Sequence, residues 1–180
     1  RYVYEGGGSY QVVGWTPTEV TLLVNSPGCA ISHIALVGLD LISGAERWRV
    51  TYDQWQGEAT DAATDGNLAF LVTTEAVYAY DETTGEQLGS TAHEYEGWPE
   101  IVAFENDLIV LSVDNSLTGM SVSGSIVWKQ TLPVSSVSDW ESINGGPLVA
   151  LGRPETEGAA VQAFGLDTSF GEILWQTAIG

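Results

Sequence analysis

Apolar residues in this chain come in short runs rich in Val, Leu, Ile and aromatics, separated by clusters of Gly, Asp, Asn, Ser and Pro. No stretch keeps the three-and-four spacing of an amphipathic helix, so the pattern predicts strands joined by tight turns. The runs fall into four sets of four. Residues 10–14, 20–24, 31–39 and 46–52 make the first set, and 57–63, 68–72, 77–80 and 86–92 the second. Residues 101–104, 108–113, 117–122 and 126–132 make the third, and 140–143, 147–151, 159–164 and 173–178 the fourth. Asp65-Gly66-Asn67, Asn106-Asp107 and Ser123-Gly124 supply hairpin turns, while longer connections are expected at 25–30 and 152–158.

One phrase recurs in every set. Asp40 precedes Gly44 and Trp48, Asp81 precedes Gly85, and Asp167 precedes Gly171 and Trp175, each element four residues after the last. The second set carries Gly89 where Trp is expected; the third has Gly124 and Trp128, with Met120 at the position counted back to the Asp. Successive glycines are 41, 39 and 47 residues apart, a period that marks stacked supersecondary units. Four-stranded units of this length read as β-propeller blades, assigned to 9–53, 54–94, 95–133 and 134–180 within one partial domain spanning 1–180. Asp followed by Ser or Thr and then Gly suits a tight turn, the carboxylate accepting backbone N–H groups and Gly permitting positive φ. Trp48, Trp128 and Trp175 are then packing residues, each burying a large apolar face between blades.

Charge narrows the partners. Twenty-four acidic residues against five basic ones give a net charge of −19. That field repels nucleic-acid phosphates and anionic headgroups and favours cationic partners or a salty, extracytoplasmic medium. No apolar run approaches the length that spans a bilayer. The single Cys29 can form no intrachain disulfide, and with His33 it falls short of a four-ligand zinc set.

The phrase Ala/Leu-x-Asp-x-x-Thr-Gly-x-x-x-Trp resembles the tryptophan-docking repeat of the pyrroloquinoline-quinone (PQQ)-type propellers. Asp81, Thr84 and Gly85 match it, as do Asp40, Ser43, Gly44 and Trp48, and Asp167, Gly171 and Trp175. The resemblance covers nearly the whole chain and implies that the tryptophans dock against a neighbouring repeat. It also implies rings of seven or eight blades, so four blades are expected to be part of a larger ring. The segment from Arg1 to Glu5 echoes Arg49-Val50-Thr51-Tyr52-Asp53, which suggests the trace of an earlier blade. Open blade faces would need a partner: further blades, or self-association.

The enzyme reading would be a quinoprotein dehydrogenase fragment. In that family the chemistry is associated with a quinone, a calcium ion, a catalytic carboxylate and, often, paired cysteines, and one Cys cannot make the pair. Asp61, Asp65, Gly66 and Asn67 lack the spacing of a calcium loop. His33 and His93 have no Ser elbow beside them, and Gly6-Gly7-Gly8 precedes no helix that could cradle a phosphate. No catalytic, cofactor or metal residues are therefore assigned.

One constellation points to binding. An aromatic and acidic segment follows each of the first three outer strands: Tyr52-Asp53-Gln54-Trp55, Glu94-Tyr95-Glu96-Gly97-Trp98 and Ser138-Asp139-Trp140-Glu141. Repeat symmetry sets these on one face, where aromatics beside carboxylates suit cations, basic peptides or sugars. Trp55, Tyr95, Trp98, Asp139 and Trp140 form the candidate partner-binding face, although the same tryptophans could fill gaps between inner strands. The expected function is a non-catalytic binding or scaffold module that mediates protein–protein interaction in an extracytoplasmic assembly. The alternatives are the dehydrogenase fragment and a structural subunit of a surface polymer.

Overall fold

Each of the four sheets is an antiparallel meander drawn from one continuous stretch of chain. The computed structural model describes residues 9–27, 32–52, 58–64, 67–93, 99–105, 108–121, 123, 125–142, 147–154, 156 and 158–179. The chain divides into two compact units, Arg1–Trp98 and Pro99–Gly180.

The first unit holds two sheets. One runs β1 (Ser9–Trp15), β2 (Glu19–Pro27), β3 (Ser32–Asp40) and β4 (Glu46–Tyr52). The other runs β5 (Ala59–Thr64), β6 (Leu68–Thr73), β7 (Ala76–Asp81) and β8 (Gln87–Ala92). Successive side chains of a strand face opposite ways. On β3, accordingly, Leu36 joins a core with Trp48, Tyr52, Ala62, Ala69, Leu71 and Tyr80, while Ala35, Val37 and Leu39 join a second cluster with Val24. The middle strands are apolar on both faces because each face is covered: Ala69, Phe70, Leu71 and Val72 of β6 are all fully buried. The outer strand β8 instead alternates exposed and half-buried positions.

The second unit repeats the plan. Strands β9 (Glu100–Glu105), β10 (Leu108–Val113), β11 (Ser116–Ser121) and β12 (Ile126–Thr131) form one sheet. Strands β13 (Ser136–Ser142), β14 (Leu148–Arg153), β15 (Val161–Leu166) and β16 (Ile173–Ile179) form the other. Val110, Leu117, Leu132, Val134, Leu148, Ala150, Phe164 and Leu166 make its core. In each unit the two innermost strands, β1 with β5 and β9 with β13, run close together.

Several boundaries shift by one or two residues, and the expected connection at 152–158 is partly strand, since Gly152 and Arg153 belong to β14; two other boundaries shift further. The innermost strand of the last sheet starts at Ser136, four residues before the predicted 140. Its leading Ser-Val-Ser pairs with Gly152 and Arg153 of β14 and needs no apolar run to do so. The expected connection at 25–30 is partly strand, since Asn25, Ser26 and Pro27 of β2 pair with Ile34, His33 and Ser32 of β3. The Arg1–Glu5 echo, Gly6-Gly7-Gly8, Cys29, Asp65-Gly66 and Asn106-Asp107 lie outside the described residues. No helix is long and apolar enough to cross a membrane among the described residues.

Candidate functional site

The repeated phrase turns out to be two halves of a joint, each supplied to a different sheet. At Asp40 one carboxylate oxygen, Oδ1, accepts from Ile42 N at 3.1 Å, Ser43 N at 2.8 Å and Ser43 Oγ at 2.8 Å. Asp81 does the same with Thr83 N, Thr84 N and Thr84 Oγ1 at 2.9, 2.9 and 3.0 Å, and Asp167 with Ser169 N and Phe170 N at 2.8 and 3.2 Å. These donors favour the charged form, so the Ser43 amide, together with Arg47, holds the Asp40 carboxyl well below the usual range. The Thr84 amide and hydroxyl lower Asp81 likewise. Each turn closes on a glycine with positive φ: 69° at Gly44, 71° at Gly85 and 72° at Gly171.

The tryptophan of one sheet seats on the glycine turn of the next. Trp48 stands opposite Gly38 in its own sheet, and a Cβ on Gly38 would fall inside the indole. The other ring face meets Gly85, where a Cβ would lie 3.0 Å from Trp48 Cβ, Cδ2 and Cε3. Trp48 Nε1–H donates to the Glu82 carbonyl, the residue after Asp81, and to Glu19 Oε1 at 2.8 Å. Trp128 repeats this in the second unit. It stands opposite Gly119, covers Gly171, and donates Nε1–H to the Thr168 carbonyl at 2.9 Å, again the residue after the Asp. Trp175 is seated on Gly165 but is 41% exposed, against 6% for Trp48, and among the described residues no glycine turn meets its ring.

The third repeat requires a correction. Counting back from Gly124 placed Met120 where the Asp belongs, but Met120 is buried and pairs with Ile126 as Leu39 pairs with Glu46. Ser121 takes the Asp position: its N–H donates to Ser125 O at 2.9 Å, and its Oγ accepts from Ser125 N at 3.0 Å. That turn is one residue shorter than the others, and Gly124 itself lies outside the described residues.

Sequence reasoning also missed the glycines under the tryptophans. Gly38, Gly119 and Gly165 each precede the turn residue by two, and the second repeat has Ala79 there, opposite Gly89. The signal was present: glycine faces tryptophan, and where tryptophan is lost the glycine is lost too.

A pair of buried carboxylates surrounds the first joint. Glu19 and Glu82 are 4% and 2% exposed, and they lie at a cleft of about 300 Å³ lined by Thr16, Pro17, Thr18, Arg47 and Thr83. Glu82 Oε1 accepts from Thr21 Oγ1 at 2.8 Å, while Oε2 has no hydrogen-bond partner among the described residues. Glu19 Oε2 meets Arg47 Nη1 at 3.2 Å, and Arg47 Nη2 meets Asp40 Oδ2 at 2.6 Å. Burial raises the Glu19 carboxyl above its ordinary value, a push assisted by Glu82 and opposed by Trp48 and Arg47. A raised acid favours the protonated fold, so the contribution of Glu19 to stability is fullest below its unfolded value near 4.5 and is lost as pH rises through its folded value. Glu19→Gln keeps an acceptor for the indole and removes this titration. Its stability relative to the parent is expected to rise from pH 4 to pH 7, read from urea midpoints; a gap that does not change with pH rejects the assignment.

Of the candidate partner face, Trp55, Tyr95 and Trp98 lie outside the described residues, as do Glu94 and Glu96. Asp139 is exposed on β13, its Oδ1 accepting from Trp140 N at 3.0 Å, and Trp140 is half-buried against the second unit's core. His93 Nε2–H donates to the Thr73 carbonyl at 2.8 Å, a tether from the end of β8 to the end of β6. No group of three or more metal-ligating side chains occurs among the described residues.

The family model described as outer membrane protein assembly factor BamB matches residues 73–179, more than half of the chain. BamB from Moraxella catarrhalis superposes with a TM-score of 0.63 at 15% identity, over 94% of this chain and 49% of that one. Hydrazine synthase from Kuenenia stuttgartiensis gives 0.60 at 14% identity, over 88% and 46%. KlHsv2 with loop 6CD replaced by a Gly-Ser linker gives 0.59 at 12% identity, over 95% and 52%. These likenesses show the fold, a β-propeller, and the family model makes its repeats PQQ-type; the chain spans about half the length of each structure. No curated protein matches the sequence.

Proposed function

The chain belongs to the family of the outer membrane protein assembly factor BamB, and from that premise we propose that it is a non-catalytic scaffold presenting a protein-docking surface in an extracytoplasmic assembly. The observation that carries this reading is the family match itself, whose named member is an assembly factor. The chemistry of the repeats supports it. Trp48 with the Asp81–Gly85 turn and Trp128 with the Asp167–Gly171 turn are engaged in joining sheets, which makes them structural residues and not a reaction centre. The docking surface lies in the segments between the phrases, where Trp55, Tyr95, Trp98, Asp139 and Trp140 combine aromatic area with negative charge. We take the blades to be 9–53, 54–94, 95–133 and 134–180; Trp55 and Trp98 precede β5 and β9 in the sequence, whereas Asp139 and Trp140 lie within β13, paired with Leu151 and Ala150.

A net charge of −19 makes the fitting partner a basic protein surface, drawn in by long-range attraction and held by aromatic and cation–π contact. Asp139 is the test position because it is exposed and its loss leaves the core untouched. Affinity capture from an envelope or extracellular fraction is expected to retain a specific partner with the parent chain and to lose it with Asp139→Lys. Trp98→Ala combined with Trp140→Ala should do the same. If both variants keep their unfolding midpoints and every captured partner, this surface is not the docking site.

A further inference from the structure

Glu82 carries an acceptor that the fold leaves unused. Its side chain is buried at the joint of the first unit and lines the cleft there. Oε1 is satisfied by Thr21, but Oε2 is itself buried and has no hydrogen-bond partner among the described residues. Buried carboxylates are ordinarily paired, so an orphaned oxygen of this kind calls for an explanation. Glu19, the other acid at the cleft, is not in this position. Its Oε1 takes the Trp48 indole N–H at 2.8 Å and its Oε2 meets Arg47 at 3.2 Å. The remaining arm of Arg47 is held by Asp40 at 2.6 Å. Glu19 and Asp40 thus take up the one guanidinium at the cleft, and Glu82 is left without a counter-ion among the described residues.

Size and lining narrow the occupant. A volume of about 300 Å³ is at the foot of the range of small-molecule sites and suits a group the size of one side chain. A calcium ion takes six to eight oxygens, several of them from carboxylates, and no group of three or more metal-ligating side chains occurs among the described residues. An ammonium has three N–H groups to place. Glu82 Oε2 offers a charged acceptor, and Thr18 and Thr83, both exposed, bring hydroxyls to the same cleft. Pro17 beside them adds apolar surface on which a methylene stem lies while its charged head meets the acid.

We propose that this cleft binds a primary ammonium group, presented as a lysine side chain of a basic protein partner, with the Glu82 carboxylate as its anchor. The ammonium donates to Glu82 Oε2 and to the Thr18 and Thr83 hydroxyls, and its stem lies along Pro17. Because Oε2 is buried, binding draws the Glu82 side chain toward the cleft. Trp48, which donates its Nε1–H to the Glu82 carbonyl, registers that movement. That a protein bears the ammonium rests on reading the chain as a docking module for a basic partner; the ammonium site itself does not.

The probe is n-butylammonium, a lysine side chain without its backbone. Nuclear magnetic resonance follows the indole N–H signals of the seven tryptophans, and Trp48→Phe identifies the one that reports. At about 0.15 M salt the screening length is about 8 Å, so diffuse attraction to a chain of charge −19 is damped. The Trp48 signal is expected to move saturably with n-butylammonium. Tetramethylammonium, with the same charge and no N–H, should need at least about tenfold more. Glu82→Gln should raise the half-saturating concentration about tenfold or more, the scale of a hydrogen bond to a charged group. Thr83→Val, at an exposed residue, should raise it about threefold and serves if Glu82→Gln fails to fold. A capped Gly-Lys-Gly peptide should move the same signal, and its Nε-acetylated form should not. No saturable shift, an equal response to tetramethylammonium, calcium chloride acting at lower concentration, or indifference to both substitutions overturns the site. A response to n-butylammonium and none to the peptide overturns the lysine in favour of a free amine. No captured partner enters these measurements, so the cleft fails or holds independently of the surface around Asp139.

Discussion

Trp48→Ala is expected to cost the first unit about 3–5 kcal/mol, most of the margin that a domain of this size holds. The indole is 6% exposed and fills the space between Gly38 and Gly85, so its removal leaves a cavity that two glycines cannot collapse around. It also strips the hydrogen bond from the Glu82 carbonyl and from the buried Glu19 carboxylate, groups that are costly to leave unpaired. Trp48→Phe should lose less, since it keeps much of the ring and forfeits the donor. Trp15→Ala, at a residue 75% exposed, should change little. Chemical unfolding followed by far-ultraviolet circular dichroism reads all three. A Trp48→Ala chain within about 1 kcal/mol of the parent would show that the joint is not where stability resides.

Gly171→Ala should be nearly as damaging, and the other turn glycines make it interpretable. A Cβ at a left-handed position costs about 1–2 kcal/mol by itself. At Gly44 that is the whole penalty, because nothing among the described residues lies within 4 Å. At Gly85 the new carbon lies 3.0 Å from Trp48 and demands a small shift. At Gly171 it enters the Trp128 ring, adding an overpacking cost of about 1–3 kcal/mol. Loss of stability should therefore rise in the order Gly44→Ala, Gly85→Ala, Gly171→Ala. Equal losses at the three positions would mean that backbone strain alone acts and that the ring contact contributes nothing.

The fold was legible because its joint needs three unlike residues at fixed spacing: an Asp to close the turn, a Gly to bend it, and a Trp to reach the neighbour. Few folds impose that set once, and this chain imposes it repeatedly. The same counting failed at Met120, because the third turn drops a residue between Ser121 and Ser125, and spacing from Gly124 cannot reveal where a turn has shortened. It failed at Ser136 because the start of β13 pairs through its backbone and its serines remain exposed. The Glu19–Glu82 pair left no local trace, since the two carboxylates meet only through the stacking of one sheet on the next. Of the candidate partner face, Asp139 and Trp140 have a described geometry, and their pairing as exposed carboxylate and half-buried ring is what a sequence pattern of alternating polarity conveys. Exposure of Trp175 was hidden for a different reason: its phrase is intact, and it differs from Trp48 in that no turn meets it among the described residues.

The reversed pair Ala79 and Gly89 constrains the history open to the second repeat. In the other repeats a ring lies over a bare backbone; here a methyl group faces a bare backbone, and the two arrangements are mutually exclusive. A tryptophan arriving at position 89 while Ala79 remains would collide with its methyl group, and Ala79→Gly arriving first would weaken the strand and gain nothing. Either single step is expected to lower stability before the second restores it, so Gly89→Trp alone should destabilise the second repeat more than Gly89→Trp combined with Ala79→Gly.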